Sequence, residues 1–84
     1  MTTPLSHRLD VIGDLCPLPV LKAMSVMRRL EPGDVLELVG DDPGILEDIP
    51  SWCDLNGHEL LRMVEDLGVV TCWVRKGEGR RPSP

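Results

Sequence analysis

The sequence predicts an α/β (α+β) domain: a two-layer sandwich of order β-α-β-α-β-β, in which a four-stranded mixed sheet carries two helices on one face. Three observations point there. Apolar and polar residues alternate over Arg8–Ile12 before Gly13, apolar residues recur at helical spacing from Pro19 to Leu30, and two β-rich runs, Glu59–Val64 and Val69–Arg75, flank a loop of hairpin composition. A strand, a helix and a strand in succession form a parallel pair with a right-handed crossover, whereas a hairpin is antiparallel, so the sheet is mixed.

Residues 1–7 are polar, contain Pro4 and show no period, and are read as a disordered N-terminus before a domain spanning 8–76. After the first strand, Asp14-Leu15-Cys16-Pro17 forms a loop into the first helix. Val20, Ala23, Met24, Met27 and Leu30 share one face of that helix, with Lys22, Ser25, Arg28 and Arg29 on the other side. Pro32-Gly33 ends it, and Arg28 and Arg29 are expected in its last turn, where they complement the dipole. Val35–Val39 is the second strand, bounded by Gly33-Asp34 and Gly40-Asp41-Asp42-Pro43. Pro50 argues against one long helix over 44–56. The expectation is an irregular turn, Asp48 as cap, Pro50 in the first turn, Trp52 and Leu55 facing inward, and Asn56-Gly57 as the stop. Residues 77–84, rich in Gly, Pro, Ser and Arg, read as a disordered tail. No internal repeat is visible.

Composition restricts the function. A chain of 84 residues builds one core and buries roughly 60% of its unfolded surface. With no Phe or Tyr, and only Trp52 and Trp73 as rings, that core is aliphatic and stacked-aromatic pockets are not expected. The net charge is −5, and from Glu37 to Asp66 nine acids face a single base, Arg62. Such a surface repels polyanions, and the remaining bases are too few for a nucleic-acid groove. The N-terminus lacks a basic-then-apolar signal pattern and no apolar run approaches the ~20 residues of a membrane span, so a cytoplasmic location without a membrane span is expected.

Cys16, Cys53 and Cys72 are an odd, widely spaced set, a poor disulfide framework, and His7 and His58 supply no closely spaced ligand pair for zinc; no metal or bound cofactor is expected. Cys16 stands where the chain passes into the main helix, at a position where unpaired N–H groups and a positive dipole end stabilise a thiolate. That placement predicts a thiol pKa below the free value of about 8.5. Pro17 and Pro19 stiffen the helix start and leave the amides of Leu18 and Val20 as expected donors. A cysteine at a helix start is also an ordinary packing residue, and prolines occur there for structural reasons, so these residues alone leave both readings open.

The run Gly13-Asp14-Leu15-Cys16-Pro17-Leu18-Pro19 resembles the signature of the TusA/SirA sulfur-carrier family. The similarity continues through Leu30-Glu31-Pro32-Gly33-Asp34, Asp41-Asp42-Pro43, Asp48-Ile49-Pro50, Cys53 and Gly57-His58, spanning about residues 9–76. The resemblance implies that Cys16 carries sulfane sulfur as a persulfide, with Gly13, Pro17 and Pro19 as its supporting motif and Cys53 as a possible second thiol. It also implies a relay in place of an autonomous enzyme. A cysteine desulfurase or rhodanese-like donor charges Cys16 and an acceptor sulfurtransferase protein discharges it, on routes to tRNA thiolation, molybdenum cofactor or sulfur oxidation.

Blander roles compete at the other positions. Cys53 and Cys72 fit core packing, as do Met24, Met27 and Met63. Turn and capping roles account for Asp10, Asp14, Asp41, Asp42 and Asp48 without a cation site or acid/base work. His58 is structural or solvated, and Lys22, Arg28 and Arg29 form a solvated helix face that also suits an acidic partner. The competing function is a redox-sensing or regulatory interaction module, one that would serve a sulfur-compound transporter. RNA binding, a third reading suggested by related topologies, is opposed by the acidic middle and the lack of stacking aromatics.

Overall fold

The computed structural model describes residues 6–78. Its elements are β1 (Ser6–Val11), α1 (Leu18–Met27), β2 (Val35–Gly40), α2 (Ile45–Asn56), β3 (Glu59–Asp66) and β4 (Val69–Arg75). The sheet order is β1-β2-β4-β3, with β1 and β2 parallel and the other two pairs antiparallel. This is the predicted α+β arrangement.

Alternation along the strands sorts the two layers. Val11, Leu36, Leu38, Val70, Cys72 and Val74 point one way and are buried against Ala23 and Met27 of α1 and Ile45, Ile49, Trp52 and Cys53 of α2. The opposite face of the sheet pairs Arg8 with Glu37 and sets Arg62 over the Trp73 ring, 5.8 Å from its centroid. Among the described residues, no helix is long and apolar enough to cross a membrane.

Several boundaries move. β1 begins at Ser6, so Ser6 and His7 belong to the sheet and not to a disordered end. Gly77 is tied down as well, donating its N–H to His58 Nδ1 at 3.0 Å. The remainder of the two expected disordered ends, residues 1–5 and 79–84, lies outside the described residues. α1 ends at Met27, which places Arg28 at the C-cap and Arg29 beyond it instead of in the last turn. Tighter bonds from Arg29 N to Val26 O and from Leu30 N to Met27 O then lead the chain out, and Leu30 still reaches the core.

The largest difference is in α2, which starts three residues before the expected cap. Asp42, not Asp48, supplies the side-chain acceptor, taking the Gly44 N–H at 3.0 Å, and Ile45 N–H bonds back to Asp42 O at 3.1 Å. Pro50 therefore lies inside the helix, where its missing N–H leaves one turn without a helical bond. The buried stripe is Ile45, Ile49, Trp52 and Cys53, which leaves Leu55 on the outer face at 82% exposure; the expected inward Leu55 is corrected. Gly57, at φ 73°, closes the helix as expected.

β3 and β4 join through Leu67 and Gly68, both left-handed (φ 53° and 82°), the pattern of a two-residue type I′ turn. Leu67 is 98% exposed and gains nothing from packing in a conformation that costs a Cβ-bearing residue about 1 kcal/mol or more. Leu67→Asn should therefore stabilise the protein by roughly 0.5–1 kcal/mol, read as a higher urea midpoint at unchanged m-value. A lower midpoint would show that Leu67 contributes a contact this geometry does not contain.

Candidate functional site

Because β1 and β2 run parallel and in register, Val11 beside Gly40, the loops that follow them emerge at the same end of the sheet. Residues 12–17 therefore lie beside residues 41–44. Hydrogen bonds stitch the two loops. Gly13, in left-handed conformation at φ 90°, donates its N–H to Asp41 Oδ1 at 2.9 Å, and Asp10 Oδ1 accepts from Ile12 N–H at 2.9 Å. Asp14 pairs with Lys22 at 2.6 Å, which ties the loop to α1 and takes Lys22 out of a free basic face. Of the turn roles read for these acids, Asp10 has one, whereas Asp14 is ion-paired to the helix and Asp41 bridges the two loops.

Pro17 occupies the N-cap of α1 without a side-chain cap, and the Cys16–Pro17 peptide bond is cis. Pro19 is fully buried in the first turn and anchors the helix to the core. The amide of Leu18, expected to face the thiol, instead donates to Leu15 O at 2.9 Å.

Cys16 Sγ lies over the start of α2. A Cβ placed on Gly44 would come within 2.8 Å of Sγ, 3.3 Å of Cys16 Cβ and 2.8 Å of Asp42 Oδ2, so only glycine leaves room for the thiol and the carboxylate side by side. The half-buried thiol faces the carboxylates of Asp42 and Asp48, which compete for its one proton. Burial, then hydrogen bonding to these acids, then the two carboxylate charges push the Cys16 thiol up to about 12. The expectation of a thiol activated below its free value is therefore corrected: burial first, and then the two acids, raise it. The same contact acts in reverse on Asp42, whose carboxyl is held below the usual carboxylate range first by the Cys16 thiol and then by the N–H groups of Gly44 and Cys16.

This geometry predicts the behaviour of the double variant Asp42→Asn, Asp48→Asn. Asparagine keeps an oxygen to cap Gly44 but removes both charges. A raised thiol pKa keeps the thiolate scarce until pH climbs towards that value, so removing the acids should shift the pH profile of iodoacetamide labelling downwards. Each unit by which a thiol pKa falls multiplies the thiolate fraction about tenfold while lowering its nucleophilicity about threefold, so the rate at pH 8 should rise by several-fold even though burial of the thiol remains. Labelling of Cys16 followed by peptide mass spectrometry checks this. An unmoved profile would remove the acids from control of the thiol.

Around the thiol stands an apolar collar that the sequence reading did not single out: Ile12, Leu15, Leu18 and Leu21 are all exposed, Leu15 by 70%. The missed signal was their number on one short segment, since single exposed leucines are ordinary but a cluster marks a contact surface. Cys53 and Cys72 are not part of this site. Both are buried in the core, and burial first of all pushes them up to about 11 and about 12, with Asp54 adding to Cys53 and Cys53 to Cys72. No cluster of three or more His, Cys, Asp or Glu side chains suited to a metal ion occurs among the described residues.

Comparison with known proteins identifies the family and the fold. The family described as Sulfurtransferase TusA matches residues 7–76. The sulfur carrier protein TusA of Pseudomonas paraeruginosa is 40% identical over 76 residues, covering 90% of this chain and 96% of that protein. Its counterpart in Pseudomonas putida is 41% identical over 68 residues, covering 81% and 85%. A crystal structure of a SirA-like protein from Desulfitobacterium hafniense superposes with a TM-score of 0.75 over 86% of this chain and 99% of that one at 24% identity, which shows the shared fold. A match that runs from the first strand to the end of the last, together with relatives this similar over most of their own length, means that the chain belongs to the TusA family.

Proposed function

We propose that this protein is a sulfur carrier that accepts sulfane sulfur as a persulfide on Cys16 and passes it to an acceptor protein. The observation that carries the reading is the one accessible thiol of the described residues, presented at a loop tip inside an exposed apolar collar, in a chain whose relatives bear the name sulfur carrier protein. The two other thiols are buried.

The transfer is an exchange of thiol and persulfide. The Cys16 sulfur attacks the outer sulfur of a donor persulfide, the S–S bond of the donor breaks, and the donor cysteine leaves as a thiol carrying the proton that Cys16 gave up. Donor thiol and Cys16 persulfide are the products, with no net oxidation. An acceptor thiol repeats the step in the other direction. The sulfur is cargo, and no resident cofactor takes part. A cysteine desulfurase or rhodanese-like protein is the donor class, and an acceptor sulfurtransferase protein the receiving class. The routes beyond are tRNA thiolation, molybdenum cofactor formation or sulfur oxidation.

Asp42 and Asp48 give the carrier a specific character. Together with burial, the larger cause, they disfavour the Cys16 thiolate and make the thiol slow to react with stray electrophiles and oxidants. Such a thiol suits a protein that reacts only when docked. It suits a redox sensor poorly, since sensing cysteines are accessible and low in pKa. The test is peptide-mapped mass spectrometry after incubation with a cysteine desulfurase and cysteine, or with a rhodanese and thiosulfate. Added sulfur on the peptide bearing Cys16 is expected; sulfur confined to the peptides bearing Cys53 or Cys72 would overturn the reading.

A further inference from the structure

A second concave surface lies far from the thiol. β3 is parallel to β2, since both are antiparallel to β4, so α1 and α2 both run opposite to β2 and start at the Cys16 end. Between their other ends, about 15 Å away along the ten residues of α1, is a groove of 280 Å³. Met24, Met27 and Trp52 form its apolar floor, and Arg28, His58 and Lys76 stand on its rim.

The charge of the rim is unusual for this molecule. The chain carries 14 acids against 9 Lys and Arg, yet no acid lines the groove. The Arg28 guanidinium makes no ion pair or hydrogen bond among the described residues. Lys76 Nζ spends one donor on Leu30 O and keeps two. His58 packs on Trp52 with ring centroids 5.1 Å apart and accepts the Gly77 N–H at Nδ1, so its neutral ring carries the proton on Nε2 as a further donor. Burial, then Lys76, lowers the His58 pKa and favours that neutral form. Complementing the α1 dipole accounts for a cation near Met27, and Arg29 would serve that purpose equally. It does not account for the three donors around an apolar floor.

We propose that this groove docks an acidic-apolar peptide segment of a partner protein. A carboxylate is held by Arg28 and Lys76, and an adjacent aliphatic side chain lies on Met24, Met27 and Trp52. The volume falls below the range of about 300–1,000 Å³ usual for cofactors and drug-sized ligands, and suits one or two anchoring side chains. Charge complementarity selects the acidic partner. Because the groove lies at the opposite end of the helices from Cys16, a partner segment held there leaves the thiol free.

The test is a titration of the isotope-labelled protein with the capped peptide Ac-Glu-Leu-Glu-Leu-Glu-Leu-NH2, followed by NMR. Trp52 indole and Met24 and Met27 methyl signals should shift while the Trp73 indole stays still. Arg28→Glu should weaken binding by about tenfold or more, whereas Arg29→Glu, the same charge change outside the groove, should weaken it less than about threefold. The proposal fails if the Trp52 signal does not move at ~5 mM peptide, or if Arg29→Glu is as damaging as Arg28→Glu. It also fails if the Lys counterpart of the peptide binds equally, or if acetate alone reproduces the shifts. None of these readouts involves sulfur, so their failure leaves the role of Cys16 untouched.

Discussion

Cys16→Ser should abolish sulfur loading while leaving the melting temperature within about 2 °C of the parent. Serine cannot form a persulfide, but its hydroxyl can donate its one proton to Asp42 or Asp48 in place of the thiol, in a site already open to solvent on one side. The two buried cysteines should behave in the opposite way. Cys53→Ser and Cys72→Ser each place a hydroxyl in an apolar core and should cost about 1–3 kcal/mol, with loading per folded molecule unchanged. Thermal unfolding and intact-mass loading measured on the same three variants separate the roles. Loading that survives in Cys16→Ser and disappears in Cys53→Ser would transfer the carrier function to the buried thiol and refute the assignment made here.

How far the sequence carried this site depends on how local the determinant was. The α1 face could be read because Ala23, Met27 and Leu30 bury themselves by simple periodicity. The hairpin was legible because Leu67-Gly68 sits between two alternating runs. Gly57 stopped α2 as glycine does. Pro50 misled, because proline at a first turn is the common case, and the cap at Gly44, four residues before Asp48, depended on where the Asp42 side chain reached.

The thiol misled for a related reason. Reasoning along the chain sees the helix that follows Cys16 and assigns its dipole to the sulfur. The sulfur instead meets Gly44, Asp42 and Asp48, about thirty residues away, which only topology brings near. The signal was available in principle. A parallel β1 and β2 pair forces the two following loops to one end, so Asp41 and Asp42 had to lie beside Gly13 and Cys16. Turn and capping roles missed the loop-bridging bond of Asp41 and were incomplete for Asp42, which accepts the Gly44 N–H and meets the thiol with the same carboxylate.

The collar leads to the second large effect. Leu18 and Leu21 lie about half exposed on the outer side of the first turns of α1, next to the thiol, and contribute little to the core. If a donor protein must cover them to bring its persulfide to Cys16, docking buries the remaining half of each side chain, worth roughly 2–3 kcal/mol for the pair. Leu18→Gln with Leu21→Gln should therefore lower kcat/KM for sulfur transfer from a protein donor by about a hundredfold. Glutamine keeps the helix propensity and adds no charge, so the loss of stability should stay below about 2–3 kcal/mol, the worth of the half of each leucine already buried, and the pH profile of Cys16 labelling by iodoacetamide should not move. That unmoved profile is the control, because it shows the thiol and its two acids intact while the protein donor is refused. Transfer rates equal to those of the parent would mean that the donor reaches Cys16 without touching the collar, and that the exposed leucines serve some other contact.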